Sequence, residues 1–261
     1  MGKICMGDDN VVALLVNYYQ ESFSSSTLGD MELTLQWVPH VVTDDMNSIL
    51  MGNFSKQEVD FALKQMAPLK APGHDGMLSI FFFQHYWKVI GKDVSQAVLS
   101  CLNTGMIPPD LNHTFLTLIL KIKSPELVIE FRPIALCNII YKLISKVLAN
   151  RFKKILPHII LESQSAFQAD KAISDNNLMA FETLHHKKIM KSGKSEFVTL
   201  KLDMSKTYDR VEWSFWLNLM EKMGFHSRWI GLIYECISTV SYSILVNGKP
   251  QGNIKPTRGI C

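Results

Sequence analysis

No apolar run in the 261 residues approaches the roughly 18 to 20 that a bilayer-spanning helix needs, which excludes a transmembrane span. The opening MGKICMGDD lacks the apolar core of a signal peptide, and Met6 stands where an N-myristoylation signal wants Ser or Thr. Nothing here directs secretion; the compartment stays open within the cell, the nucleus included. Five cysteines (Cys5, Cys101, Cys137, Cys236, Cys261) are an odd number and no two have C-x-x-C spacing, so a disulfide framework or zinc knuckle is not expected. There is no G-x-x-x-x-G-K-[ST] loop, and His185-His186 lacks the spacing of a zinc-binding H-E-x-x-H helix. P-loop hydrolases and zinc hydrolases are set aside, and no internal repeat or low-complexity tract is visible.

What the chain does have is material for a core: 47% apolar and 10% aromatic residues against 20% charged. The length fits one large or two small lobes. The formal net charge of +3 hides an asymmetry, because residues 1–60 carry nine acids against two bases while the remainder carries fifteen against twenty-five. A polyanionic partner for the later part is compatible with that split, as is ordinary solvation.

Several elements can be placed from local signals. Ser55 and Glu58 have capping-box spacing, with Phe54 set to staple onto Val59, so a helix starts here and carries Val59, Ala62, Leu63 and Met66 as its stripe. It must stop before the loop Lys70-Ala71-Pro72-Gly73-His74-Asp75-Gly76. Residues 81–102 read as helix interrupted near Gly91, and Leu116 to Ile122 as a buried strand with a basic tip. Ile139, Ile140, Leu143, Ile144, Val147, Leu148, Phe152, Ile155 and Leu156 recur at helical spacing, with Lys142, Lys146, Lys153 and Lys154 largely off the stripe. Such a helix is either an ordinary amphipathic one or a nucleic-acid-facing surface, and the spacing leaves both open.

From Phe197 the period becomes two, with Val198, Leu200, Leu202 and Met204 on one side and Asp203 on the polar face near the strand end. A helix from Asp209 to Met223, capped by Asp209 and stopped by Gly224, follows. Alternation over residues 240–246 ahead of Asn247-Gly248 signals a hairpin. A carboxylate at a strand tip is one way to present a divalent-cation ligand on a rigid element, and it is equally a helix cap or turn residue.

The run from Leu200 to Trp213, LKLDMSKTYDRVEW, resembles the first palm motif of reverse transcriptases from LINE-type, non-LTR retroelements, especially those of plants. Other blocks agree in order: Lys70–Gly76 resembles that family's KAPGPDG loop, and Phe131–Asn138 its FRPISLCN segment. Gln164–Phe167 and Ser174–Asn176 match the segment before the palm, and Arg258-Gly259-Ile260 the opening of the next motif. The resemblance covers roughly residues 40–261. It implies an α+β fold made of right-hand polymerase fingers plus an incomplete palm, helix-rich throughout. The expected division is a lead segment at 1–50, a fingers-like helical region at 51–190 and a partial palm at 191–261.

By the same resemblance Asp203 is the first catalytic aspartate and a ligand of Mg²⁺, helped by the backbone carbonyl of Met204. Tyr208 is the aromatic gate that crowds a ribose 2′-hydroxyl, and Lys121 and Arg132 contact the incoming triphosphate. Partners would be an RNA template, a DNA primer and dNTPs, with no membrane. Lys142, Lys146, Arg151 and Lys153 are candidates for nucleic-acid contact. Phosphoryl transfer needs charge neutralisation and in-line alignment, which two Mg²⁺ ions about 4 Å apart and gripping cations supply.

The sequence also departs from the family. Family members take their other carboxylates from a later hairpin, usually Tyr-Ala-Asp-Asp, and the chain stops at Cys261 without it. The 261-residue chain is therefore expected to bind Mg²⁺ weakly and to be inactive alone, and the unpaired palm edge is expected to drive self-association. The alternative is a non-catalytic nucleic-acid-binding module. Asp170-Lys171 stands where the family commonly has Gly-Arg, and His74 replaces the second proline of KAPGPDG. Gly7-Asp8-Asp9 imitates a polymerase Gly-Asp-Asp but precedes the palm motif and is read as coincidence.

Overall fold

The computed structural model describes residues 7–26, 29–80, 85–161, 163–165, 171–189, 198, 200–204 and 206–260. The chain divides into two compact units, Met1–Phe152 with Lys206–Cys261, and Lys153–Ser205. In chain order the described helices are α1 (Asp8–Ser22), α2 (Met31–Leu35), α3 (Asp44–Met51), α4 (Lys56–Lys64), α5 (Trp87–Thr104), α6 (Ile139–Phe152), α7 (Leu156–Ile159), α8 (Ile173–Ile189), α9 (Trp213–Met223) and α10 (Ser227–Ser238). The strands are β1 (His113–Leu120), β2 (Phe131–Leu136), β3 (Ser241–Val246) and β4 (Lys249–Ile254). The fold class is α+β.

The four strands form one mixed sheet in the order β2-β1-β3-β4. β1 and β2 are antiparallel, Leu116 lying opposite Ala135 and Ile119 opposite Arg132. β1 and β3 are parallel, from His113 beside Ser241 to Thr117 beside Leu245. β3 returns into antiparallel β4 through Asn247 (φ 51°) and Gly248 (φ 76°). Positive φ at both central residues is what a tight two-residue hairpin demands, and Asn-Gly supplies it. The outer strands β2 and β4 each contain a proline, Pro133 and Pro250, and proline at a sheet edge withholds a ladder donor and discourages further pairing.

Helix α1 covers part of this sheet. Leu15, Tyr19 and Phe23 recur every four residues and are buried with Leu116, Tyr242, Ile244 and Ile254 in one cluster. Phe23 lies 5.3 Å from the Tyr242 ring and 5.9 Å from that of Tyr19. Full burial of each such side chain is worth about 1.5 to 3 kcal/mol. The lead segment thus belongs to the same unit as the sheet. The compact units part at 152 and 205, and the β1–β3 pairing joins the two stretches of the first.

A second core lies among α4, α5 and α6, where Val59, Ala62, Leu63, Val98, Leu102, Leu143, Ile144, Val147 and Leu148 are all buried. The α4 capping box forms as expected: the Ser55 hydroxyl accepts from the Glu58 N–H, and the Ser55 N–H donates to Glu58 Oε2 at 2.9 Å. Helix α5 runs through Gly91 without interruption. A Cβ at Gly91 would lie 2.8 Å from the Trp87 indole, so the glycine makes room for a ring whose Nε1 donates to Asp60 at 2.9 Å.

Arg151 corrects an expectation. Placed among the nucleic-acid contacts from its sequence, it is 4% exposed, and all five of its N–H donors are used internally. Nε and Nη2 grip Glu58 at 2.7 and 2.9 Å, Nη1 donates to the carbonyls of Leu50 and Gly52, and Nη2 also reaches the Asn53 carbonyl at 2.8 Å. The guanidinium stacks 3.6 Å from the Phe54 ring centroid. It therefore ties the end of α3 and the start of α4 to α6 and has no donor left for a phosphate.

Hydrogen bonding from Arg151 holds the Glu58 carboxyl below its ordinary pKa of 4.5 against the opposing cost of burial. A depressed carboxylate pKa contributes stability that is present above the ordinary value and lost as pH falls through the lowered one. Arg151→Ala is expected to lower unfolding free energy at neutral pH by about 3 to 5 kcal/mol, because a charged partner and three carbonyls lose their donors. Urea titration measures this; a loss under about 1 kcal/mol, the size of an exposed pair, would contradict it.

Candidate functional site

The hairpin of β1 and β2 positions two of the candidate cations. Arg132 lies opposite Ile119, and Lys121 follows β1 by one residue, its N–H donating to the Glu130 carbonyl at 2.8 Å. Residues 119 and 121 share a face with their partners 132 and 130, so Lys121 and Arg132 project from the same side of the ribbon. Arg132 is exposed, and Lys121 Nζ reaches back to the Ile129 carbonyl at 2.7 Å. Beyond Thr117, β1 pairs only with β2, and Ile119 and Leu120 are half exposed there.

The strand expected across Phe197–Ser205 is not found among its described residues, 198 and 200–204; Phe197, Thr199 and Ser205 lie outside them. A strand needs a ladder partner for its N–H and C=O groups, and alternation alone does not supply one. Val198, Leu200, Leu202 and Met204 are 91%, 75%, 79% and 74% exposed, and Asp203 is exposed as well.

After Asp203 the chain enters the first unit at Lys206, whose φ is 53°. Its ammonium lies 4.4 Å from the Tyr18 ring centroid and hydrogen-bonds the phenol oxygen, a contact made by α1. Tyr208 opens a short 3-10 turn, Tyr208–Arg210, and is 53% exposed. The helix after it starts at Trp213 rather than Asp209, because the intervening backbone pairs elsewhere. Gly259 N–H donates to the Val211 carbonyl at 2.8 Å, Ile260 N–H to the Tyr208 carbonyl at 3.0 Å, and Glu212 bridges Arg258. Gly259 has φ +86°, and a Cβ there would lie 2.9 Å from the Asp209 carbonyl oxygen, so only glycine fits without strain. Trp213 Nε1 donates to the Gly259 carbonyl at 2.7 Å.

A polar knot fixes this arrangement. Glu212 and Arg258 pair at 3.2 Å, with side chains 9% and 16% exposed. The Glu212 carboxylate also accepts from the Ser25 hydroxyl at 2.6 Å and from the Ser26 N–H and hydroxyl. Arg258 Nε donates to the Ser22 carbonyl at 3.0 Å, and the N–H groups of Thr257 and Arg258 both reach the Phe23 carbonyl. Burial alone would raise the Glu212 pKa, yet the serine donors and Arg258 outweigh it and leave the carboxyl below 4.5. Sequence reasoning missed Glu212, Ser25 and Ser26 entirely. No spacing rule connects residue 25 to residue 212, and the signal that existed was an unexplained serine run at 24–26.

The cations of α6, and Lys153 just after it, are only partly outward. Lys142 Nζ donates to the Ala71 carbonyl at 3.1 Å, and burial lowers its pKa. Lys146 is half-buried, Lys153 is exposed in the second unit, and Arg151 is interior. Asp8 and Asp9 begin helix α1 instead of a strand-turn-strand, consistent with a chance Gly-Asp-Asp. His185 and His186 lie exposed on α8.

For a divalent cation, the Asp203 carboxylate and the Met204 carbonyl are hard oxygen donors, the type Mg²⁺ accepts. Were Mg²⁺ held there, they would supply two of the six oxygens it prefers. Among the described residues no group of three or more His, Cys, Asp or Glu side chains is placed to hold a metal ion. No described helix is long and apolar enough to cross a membrane.

Comparison with known proteins gives two findings. The sequence model of the family described as reverse transcriptase (RNA-dependent DNA polymerase) matches residues 122–259, more than half of the chain. A protein of Xenopus laevis named "Transposon TX1 uncharacterized 149 kDa protein" is 27% identical over 236 residues, covering 87% of this chain. The chain spans only 18% of that relative's length.

Glu212→Gln is expected to lower stability at neutral pH by about 1.5 to 3 kcal/mol, the worth of hydrogen bonds to a buried charge. Because the folded pKa is depressed, the difference from the parent should persist above pH 4.5 and shrink as pH falls through the lowered value. Denaturation at several pH values measures it, and a gap that grows on acidification would overturn the assignment of charge to Glu212.

Proposed function

The chain belongs to the reverse transcriptase (RNA-dependent DNA polymerase) family, and from that premise we propose that it is the fingers and first palm part of a LINE-type, non-LTR retroelement polymerase. The observation that carries this reading is the packing of the segment after Asp203 against Arg258–Ile260, two motifs of one polymerase site tied backbone to backbone through Tyr208 and Val211. The similarity to a transposon protein supports the retroelement setting, and the Lys70–Gly76 and Phe131–Asn138 blocks support the plant type.

In this reading Asp203, with the Met204 carbonyl, contributes to holding Mg²⁺, which when bound supplies charge neutralisation at the attacking and leaving oxygens. Lys121 and Arg132, on one face of the β1–β2 ribbon, contact the triphosphate of a dNTP, Arg132 through its fork of donors and Lys121 as a point charge. Tyr208, half exposed and anchored through its carbonyl, presents the ring that crowds a ribose 2′-hydroxyl. RNA template and DNA primer are the macromolecular partners, with Lys146 and Lys153 as candidate phosphate contacts. Lys142 is a weaker candidate because it is committed to the Ala71 carbonyl.

No Tyr-Ala-Asp-Asp occurs in the 261 residues. We propose that a polypeptide of these residues alone has little or no polymerase activity, since one carboxylate leaves a two-ion site without most of its ligands. The second reading, a non-catalytic nucleic-acid-binding module, is favoured by the shared face of Lys121 and Arg132. The exposed aliphatic side chains of Val198, Leu200 and Leu202 are the surface expected to promote self-association at high concentration.

Two measurements on the 261-residue chain test these readings. Primer extension on an RNA template with Mg²⁺ and dNTPs should give no product above background; robust synthesis abolished by Asp203→Ala would overturn the one-carboxylate argument. Binding to a single-stranded oligonucleotide should weaken with salt at a log-log slope of about −0.7 per phosphate contacted, and Lys121→Glu with Arg132→Glu should reduce that slope by roughly 1 to 1.5. Salt-insensitive binding would eliminate the nucleic-acid surface.

A further inference from the structure

Helix α1 is seated on the sheet in a fixed register. A Cβ at Gly252 of β4, where φ is +68°, would lie 2.7 Å from the Val16 side chain, and Tyr19 is buried among core residues of β1, β3 and β4. The Tyr19 ring meets the Tyr18 ring edge-on at 5.2 Å, so the half-buried Tyr18 ring is propped by the core. Against it lies the Lys206 ammonium, 4.4 Å from the ring centroid and hydrogen-bonded to the phenol oxygen. Lys206 has a left-handed backbone, φ 53°. A residue with a Cβ keeps that conformation where neighbouring contacts over-determine it, and here one of those contacts comes from α1.

The exit of α1 grips the same stretch of chain again. Ser25 donates its hydroxyl to the Glu212 carboxylate at 2.6 Å, and Ser26 adds its N–H and hydroxyl. The Ser25 N–H donates to Thr257 Oγ1 at 2.7 Å, beside Arg258. Residues 206–212 are thus held at both ends by one helix and its exit, and Tyr208 lies between the two grips. Its carbonyl accepts the Ile260 N–H, while its side chain is half exposed. Helix α1 itself precedes every block of polymerase resemblance in the chain.

We propose that α1 is the positioning element of the nucleotide gate: Tyr18, through Lys206, and Ser25 and Ser26, through Glu212, fix the turn that presents Tyr208 and so decide how closely a ribose 2′-hydroxyl can approach its ring. The proposal rests on the reading of Tyr208 as that gate. A steric gate discriminates only as far as its ring is prevented from yielding, because a side chain that swings aside accommodates the extra hydroxyl. The ring is half exposed, so the constraint comes through the backbone of its turn. Both grips act there, one two residues before Tyr208 and the other four residues after it. Tyr18, Ser25 and Ser26 are therefore positioning residues, acting through Lys206 and Glu212.

Amide hydrogen exchange and nucleotide binding of the 261-residue chain test the bracket. In Tyr18→Leu, and separately in Ser25→Ala with Ser26→Ala, the Gly259 and Ile260 amides, which bond to the Val211 and Tyr208 carbonyls, should exchange roughly tenfold faster or more, while amides of α5 and α6 keep their protection. Ser25→Thr with Ser26→Thr, which retains both hydroxyls, should leave the parent rates. Ligand-observed NMR with Mg²⁺ and either dATP or ATP reads the gate: the parent should favour dATP by roughly fivefold or more, and both disruptive variants should lower that preference to about twofold or less. Parent-like exchange at Gly259 and Ile260, or an undiminished sugar preference in both variants, would overturn the positioning role. A parent that binds the two nucleotides equally, or neither, would instead remove the gate reading and the proposal with it. Should a variant fail to fold, the parent alone still decides. Its Ile260 amide must open together with those of Thr257 and Arg258, which bond to the Phe23 carbonyl, and free exchange at Ile260 beside protection there would sink the idea.

Discussion

Strand β1 is hydrogen-bonded on both edges, and that double commitment organises the first unit. Its antiparallel partner β2 comes from just downstream, which local hairpin closure allows. Its parallel partner β3 comes from beyond residue 240, and a parallel pairing always needs a long connection. Everything between must therefore leave the sheet and return. The return passes through residues 206–213, bringing Tyr208 beside Gly259 and making room for Glu212 to meet Arg258. Helix α1 enters the same arrangement from the other end of the sequence, covering the sheet with Leu15, Tyr19 and Phe23 and offering its last carbonyls and the following serines to the Glu212–Arg258 pair.

Charge in this protein is spent inward at two points. Arg151 and Arg258 each pair with a glutamate whose carboxyl is held below its usual range, and each adds backbone carbonyls that would otherwise lack a donor. A buried pair is not automatically stabilising, since desolvation of both ions opposes their attraction. At Arg151 the remaining donors are also filled, the condition under which the arrangement fixes one geometry rather than several. The consequence for function is that basic character summed over the later part of the chain overstates the surface available to a polyanion. Lys121, Arg132 and Lys153 remain outward while Arg151 does not.

Local signals in the sequence translated well into elements. The Ser55–Glu58 box, the Asn247-Gly248 turn, the α6 stripe and the Gly224 stop each depend on neighbours a few residues away, so the physics that places them is written in consecutive residues. What was not legible depends on partners far along the chain. Arg151 falls at stripe spacing, seven residues after Ile144, but its charge reads as solvent-facing until the α3–α4 connection is folded against it. Gly91 reads as a break until Trp87 is seen to lie over it. The alternation at 198–204 reads as strand because β periodicity describes a half-buried pleat, and it cannot say whether a neighbouring strand is present to complete the ladder. Of the candidate site, Lys121 and Arg132 could be aligned from register once β1 and β2 were paired, whereas the serines that hold Glu212 had no sequence signature.

The polymerase motifs thus differ in how they are supported. Tyr208 and Arg258–Ile260 are fixed by backbone bonds, a glycine that admits no side chain and a buried ion pair, so their mutual placement belongs to the folded unit itself. Asp203 lies on an exposed stretch with no ladder partner among the described residues. A metal ligand contributes most when its carboxylate is pre-positioned, because an ion that surrenders water reluctantly gains little from a donor that must first be ordered. If Tyr208 is the gate and Asp203 the metal ligand, as proposed, the gate is supported by the fold and the carboxylate has to gain its remaining support from the other ligands of the ion. On the proposed function, therefore, the residues assigned to shape the nucleotide pocket are held by the folded unit, whereas the carboxylate assigned to the metal is exposed.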